Sequence, residues 1–218
     1  MVNKFNQTVK PTRLIMKEIK DKTEDKILDA AHEVFLRKGM DGARMQEIAD
    51  EAGINKALLH YYFRSKEKLF EAIFATVLKK AFPNILKSLT SDLTLEQKVD
   101  LFIESYIDLL QKNPYLPMFI LKEINRNPES LADIIRSKVE DPEQLFETIG
   151  NELRKNDIFE VDPRHLLVNI IALSVFPFAA RPLVQQVMFG NDKKAYQQFL
   201  SERKQVVKQF IHRSISKP

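Results

Sequence analysis

Between Gln46 and Phe63 the apolar positions of QEIADEAGINKALLHYYF keep a helical period, lose it, and take it up again. Ile48, Ala49 and Ala52 recur at helical spacing, Gly53 interrupts, and Leu58, Leu59 and Phe63 resume the pattern. This predicts two short helices joined by a tight turn. Gly53 can take a positive φ without steric cost, Ile54 can bury in the angle between the helices, and Asn55 can cap the second helix through its side-chain oxygen. The second helix then turns Lys56, His60, Tyr61 and Tyr62 outward. In a helix-turn-helix this element enters the major groove, with its N-terminal residues nearest the base edges.

The flanking patterns extend the unit on both sides. Thr23 can cap a helix whose first turn carries Glu24 and Asp25, and Ile27, Ala30, Ala31, Val34 and Phe35 form one apolar stripe that Gly39 ends. Upstream, residues 1–22 show no strong apolar period and are expected to form a flexible basic arm. Downstream, Ser65 is the N-cap candidate of a helix along which Leu69, Ile73, Val77 and Phe82 share a face. Lys66 stands in its first turn, an unfavourable place for a cation beside a helix dipole, and a phosphate bound at that helix end would account for it.

Further on, each amphipathic run is bounded by a proline or a cap. Pro83 predicts an end or kink, and LTSDLT a polar connection. Helices are expected over 95–113 (Val99, Phe102, Ile103, Tyr106, Leu109, Leu110) and 114–126. A helix or broken pair follows over 129–155, restarting at Asp141-Pro142. The most apolar helix opens at Asp162-Pro163 and is kinked or broken near Pro177 and Pro182; the last runs from about Lys193 to Ser214. Phe102, Tyr106, Met118, Phe119, Phe146, Phe176 and Phe178 either line an apolar cavity or fill the core. Leu166, Ile170 and Leu173, with Phe199, Val206 and Phe210, are offered as the faces of a dimer interface, a monomeric core being the competing account.

Composition narrows the class. Five glycines and no Trp in 218 residues favour an all-α chain, and the absence of Cys removes disulfides and thiolate metal sites, so the reducing cytoplasm is the expected compartment. The run from Leu166 to Ala180 is too short and too interrupted to span a membrane, and the N-terminus has no secretory h-region, so no membrane partner is expected. Charge is uneven: residues 23–54 carry four basic against eight acidic side chains, whereas 55–68 carry Lys56, Arg64, Lys66 and Lys68 against Glu67 alone. A basic element beside an acidic one fits a phosphate-binding face. No glycine-rich phosphate loop, nucleophile elbow or paired histidines occur, so neither an enzyme, a cofactor nor a metal site is expected.

With GINKALLHYYFRSKEKLF on the page, residues 24–74 resemble the N-terminal DNA-binding domain of the TetR (tetracycline-repressor-like) family of bacterial transcription regulators. The glycine, the aromatic pair before Phe63 and the Ser-Lys-Glu-Lys-Leu after it all fall in register. The chain departs from the family near Arg44 and Met45, at Leu58 and at His60, positions that face or flank DNA. The resemblance implies an all-α fold: a three-helix DNA-binding domain at 23–68 behind the 1–22 arm, and a larger helical ligand-binding and dimerisation domain at 69–218. It implies phosphate contacts from Tyr61 and Lys66 and base-edge contacts from Gln46, Lys56 and His60. Ala57 stands near a thymine methyl, and Arg44, Asn55 and Tyr62 complete the DNA-facing set. The partners expected are a pseudo-palindromic operator, a second copy of the chain and a small, mostly apolar or amphipathic ligand. Repression relieved by that ligand is the commoner behaviour in the family. The alternative is a helical DNA- or protein-interaction module without a small-molecule ligand.

Overall fold

The computed structural model describes residues 12–126, 128–137, 141–159 and 161–215. Among them the regular structure is α-helix with no strand: α1 (Thr12–Gly42), α2 (Met45–Glu51), α3 (Lys56–Tyr62), α4 (Lys66–Thr90), α5 (Leu95–Lys112), α6 (Leu116–Arg126), α7 (Pro128–Arg136), α8 (Pro142–Lys155), α9 (Pro163–Ala179), α10 (Arg181–Phe189) and α11 (Lys193–Ser214). They form two units, Met1–Ile73 and Phe74–Pro218.

In the first unit every predicted apolar position of α1 is buried, and the Phe35 ring meets Phe70 of α4 at 5.2 Å between centroids. Ile48 and Ala49 of α2 and Leu59 of α3 close the same core. Two bridges tie α1 to α2 at the surface, Arg37 to Glu51 and Lys38 to Glu47. Gly39 breaks the helical path of α1 with φ 69°, a conformation that a side chain would strain. The expected arm is corrected here. Residues 1–11 lie outside the described residues, but 12–22 continue α1, and Thr23 is no N-cap: its hydroxyl donates to the Ile19 carbonyl inside the helix. A cap needs an end, and Lys17, Glu18, Lys20 and Lys22 are good helix formers that carry the helix upstream.

In the second unit α5, α9 and α11 pack on one another, with α8 and α10 against α9. Their core holds Phe102, Ile103 and Ile107 of α5, Leu166, Ile170 and Phe178 of α9, and Tyr196, Leu200, Val207 and Ile211 of α11. Side-chain caps start the helices: Thr94 and Gln97 form a capping box on α5, and Asp141, Asp162 and Asp192 cap α8, α9 and α11. Beside the apolar seam, α5 and α11 carry a charge ladder at four-residue spacing. Asp108 accepts from Lys204, Glu104 from Lys208, and Asp100 lies 2.9 Å from His212 Nε2.

The two internal prolines show how a helix survives one. Pro83 was expected to end or kink α4, yet the helix runs on to Thr90. The carbonyl it deprives of an N–H belongs to Lys79, whose turn is exposed, so water can supply the bond. Pro177 sits inside the core and deprives Leu173. There Arg203 of α11 donates from Nη2 to the Leu173 carbonyl at 2.8 Å, and the Tyr196 hydroxyl donates to the Pro177 carbonyl at 2.5 Å. With its backbone groups satisfied by α11, the chain turns by 74° between α9 and α10, where the sequence predicts a kink or break.

Candidate nucleic-acid interface and ligand cavity

The α2–α3 turn is built as its residues dictate. Gly53 has φ 61°, Ile54 donates to the Ala49 carbonyl and is half-buried, and Asn55 Oδ1 accepts from the Leu58 N–H at 2.8 Å. Leu59 faces inward with no exposure, so the opposite side of α3 must face out. Ala57 and Tyr61 stand there, with Lys56 and His60 exposed on the flanks of the helix; Tyr61 is 73% exposed and in edge contact with the half-buried Tyr62 at 5.5 Å. Lys56 forms no ion pair or hydrogen bond through its ammonium among the described residues. His60 Nδ1 lies 3.4 Å from the Arg64 carbonyl. Arg44 and Gln46 are exposed at the start of α2, where the Gln46 amide donates to Asp50. Asn55 is occupied as a cap.

Lys66 has a different engagement from the one its position predicts. Its ammonium reaches back to the carbonyls of Asp41 at 3.3 Å and Ala43 at 3.1 Å. These carbonyls lie where α1 ends and α2 begins, and orphan carbonyls at a helix end attract a cation. A lysine in the first turn of α4 is therefore explained within the fold, and a bound phosphate is not needed to account for it.

A profile of the family described as "Bacterial regulatory proteins, tetR family" matches residues 27–73, the stretch that carries α2, the turn and α3. Residues 27–73 are thus similar to the tetR-family DNA-binding domain. Among relatives, the probable HTH-type transcriptional regulator YttP of Bacillus subtilis is 22% identical over 182 residues, covering 82% of this chain and 87% of YttP. The HTH-type transcriptional regulator RutR of Escherichia coli is 28% identical over 152 residues, covering 67% of this chain and 69% of RutR. Among solved structures, the transcriptional regulator FadR from Bacillus subtilis in complex with stearoyl-CoA superposes with a TM-score of 0.59 at 19% identity, covering 85% of this chain and 96% of FadR. The protein is a DNA-binding transcription regulator; regulators of the tetR family, which it resembles, act on DNA operators as dimers, and some bind small ligands. Among its described residues no single helix is long and apolar enough to cross a membrane.

In the second unit a cavity of about 30 Å³ lies between α5, α8 and α9. Its walls are Leu95, Val99 and Phe102 from α5, Ile149 from α8, and Pro163, Leu166, Leu167 and Ile170 from α9; Lys98 and Glu152 supply its polar edge. Of the seven side chains read as cavity candidates, Phe102 alone borders this space. Phe119 and Phe178 are buried in packing, and Phe119 meets Phe74 at 6.0 Å between rings. Phe146 is half-buried beside Arg164. Tyr106 is half-buried against Phe102, and burial pushes its phenol up to about 12. Met118 and Phe176 are exposed, so neither can line an interior in this structure. Aromatic identity does not distinguish these fates.

The expected dimer residues need a correction of face. Leu166 and Ile170 are each 4% exposed, inside the core of one chain, and Leu173 and Phe199 are half-buried against it. The outward positions of α9 are Val168, Ala172 and Phe176, with Val168 and Phe176 each 60% exposed. On α11 Val206 and Phe210 are exposed. The sequence signal was periodicity on a helix apolar nearly all round, where two stripes compete and only packing decides which faces in.

Proposed function

We propose that this regulator reads a pseudo-palindromic operator through the outer face of α3 and releases it when a small, mostly apolar or amphipathic ligand occupies the second unit, acting as a repressor. The observation that carries the DNA reading is the surface of α3 around buried Leu59: Lys56, Ala57, His60 and Tyr61 are exposed, and Lys56 has no counter-charge among the described residues. A helix with such a face, preceded by exposed Arg44 and Gln46, offers hydrogen-bond donors for base edges and a cation for phosphate or guanine. Lys56→Ala should change which sequence is preferred, by roughly 1–3 kcal/mol at particular base pairs, in a competition assay at fixed salt. Equal weakening on all sequences would make Lys56 a phosphate contact. Lys66→Ala should act through the α1–α2 loop it holds, lowering the melting temperature of the first unit together with DNA affinity.

One reading head contacts only a few base pairs, so a site is selected by two heads at a fixed spacing. The surface offered to a second copy is the outer stripe of α9 and α11, Val168, Ala172, Phe176, Val206 and Phe210. These are exposed apolar side chains on two helices that pack together. Phe210→Glu should give folded monomers in sedimentation that keep weak, salt-sensitive DNA binding and lose the operator preference. A dimer that survives this substitution and Phe176→Glu together would put the interface elsewhere. That a FadR of similar fold holds an acyl-CoA supports a ligand-responsive second unit here.

A further inference from the structure

Lys98 is 8% exposed, yet among the described residues the one charge paired with it is Glu152, at a long 3.7 Å. A buried ammonium brings three donors and a large desolvation cost, so it is expected to have close acceptors. Glu152 is not reserved for it. Lys155 holds the other carboxylate oxygen at 3.0 Å, and the hydrogen bond from Lys155, ahead of the charge of Lys98, keeps the Glu152 carboxyl below the usual carboxylate range. The three groups together carry one uncompensated positive charge. It lies on the edge of a space otherwise bounded by Val99, Phe102, Leu166 and Ile170.

We propose that this cavity is the site of an amphiphile bearing one negative charge, whose oxyanion head takes the Lys98 ammonium while its apolar chain enters between α5, α8 and α9. The proposal rests on the ligand-responsive reading above and gives that ligand its chemical class. Lys155 keeps Glu152 neutralised when Lys98 turns to the head group, so binding an anion removes the excess charge and strands no carboxylate. The standing space of about 30 Å³ is too small for an alkyl chain, so the chain enters by displacing Ile149 and Leu167, the half-buried side chains of the wall.

Calorimetry on the full chain without DNA tests this, with decanoate, decyl phosphate and the neutral 1-decanol as probes. Decanoate should bind at least about tenfold more tightly than decanol, the usual margin of a charge-assisted hydrogen bond. Lys98→Met, which keeps length and apolar volume, should abolish that margin and leave decanol binding as it was. Glu152→Gln, which removes the competitor for Lys98, should tighten decanoate binding, a direction that damage to the fold does not imitate. Equal affinities for decanoate and decanol, or an unchanged margin in Lys98→Met, would overturn the proposal and make Lys98–Glu152 a structural pair. Stronger binding of decyl phosphate than of decanoate would assign the head to phosphate esters instead of carboxylates. Adding operator DNA separates the two readings: a probe that binds at Lys98 without releasing DNA leaves the site standing and defeats the ligand-released repressor.

Discussion

The two units use apolar residues in opposite ways. In the first, the stripe of α1 from Ile27 to Phe35, Ile48 and Ala49 of α2 and Leu59 of α3 turn inward, and α3 shows outward Lys56, His60 and Tyr61 beside Ala57 and the partly uncovered Leu58. In the second, α9 buries Leu166, Ile170 and Phe178 while leaving Val168 and Phe176 in the open, and α11 divides itself the same way between Val207 and Phe210. A unit that buries most of its apolar residues in itself and presents a lysine, an imidazole and a phenol on one short helix is suited to reading something polar. A unit with apolar residues left over is built to be covered.

The comparison is broken most severely by deleting an inward ring and sharpened by deleting an outward one. Phe70→Ala, which empties the site facing Phe35, should cost about 3–5 kcal/mol and unfold the reading head, seen as a separate low-temperature transition with loss of all DNA binding. Phe176→Ala should cost the single chain no more than about 0.5 kcal/mol in urea unfolding at low concentration, yet raise the dissociation constant of the dimer. Equal costs for the two would mean that Phe176 is core. Next in size, Arg203→Met should destabilise the second unit by about 1–3 kcal/mol, because the Leu173 carbonyl freed by Pro177 is left inside without a donor. The first unit's melting should not move.

A further effect is confined to alkaline pH. The Tyr106 phenol titrates near 12 in the folded chain against about 10 when unfolded, so its burial costs nothing below pH 10. Between pH 10 and 12 the unfolded chain loses the proton first and is favoured. Tyr106 should therefore take up to about 2 kcal/mol from stability across that window, and Tyr106→Phe should flatten this part of the pH–stability curve without altering it at pH 7.

The reading head was legible because each of its instructions is local. Gly53 breaks, Asn55 caps, Leu59 buries, and each is settled within a few residues of chain. What local pattern leaves open depends on partners far away in sequence. Whether Lys66 meets a phosphate or the carbonyls of Asp41 and Ala43 depends on how α4 returns to the α1–α2 loop. Whether Pro177 ends a helix depends on Arg203, thirty positions beyond the carbonyl it rescues. On α9, choosing Leu166 and Ile170 over Val168 and Phe176 as the outward face requires knowing which side α5 and α11 occupy, because the helix is apolar on both. The Lys98–Glu152–Lys155 cluster joins α5 to α8 across more than fifty residues, and no local spacing announces it.

The central claim, two α3 faces reading one site through a dimer made by α9 and α11, is tested most directly by selecting random DNA fragments with the purified protein and sequencing them, alongside Phe210→Glu. The account expects the unaltered chain to enrich a pseudo-palindrome with a fixed half-site spacing, and the variant to enrich at most isolated half-sites. Enrichment of an asymmetric sequence by the unaltered protein, or of the same palindrome by a Phe210→Glu chain that sediments as a monomer, would contradict it.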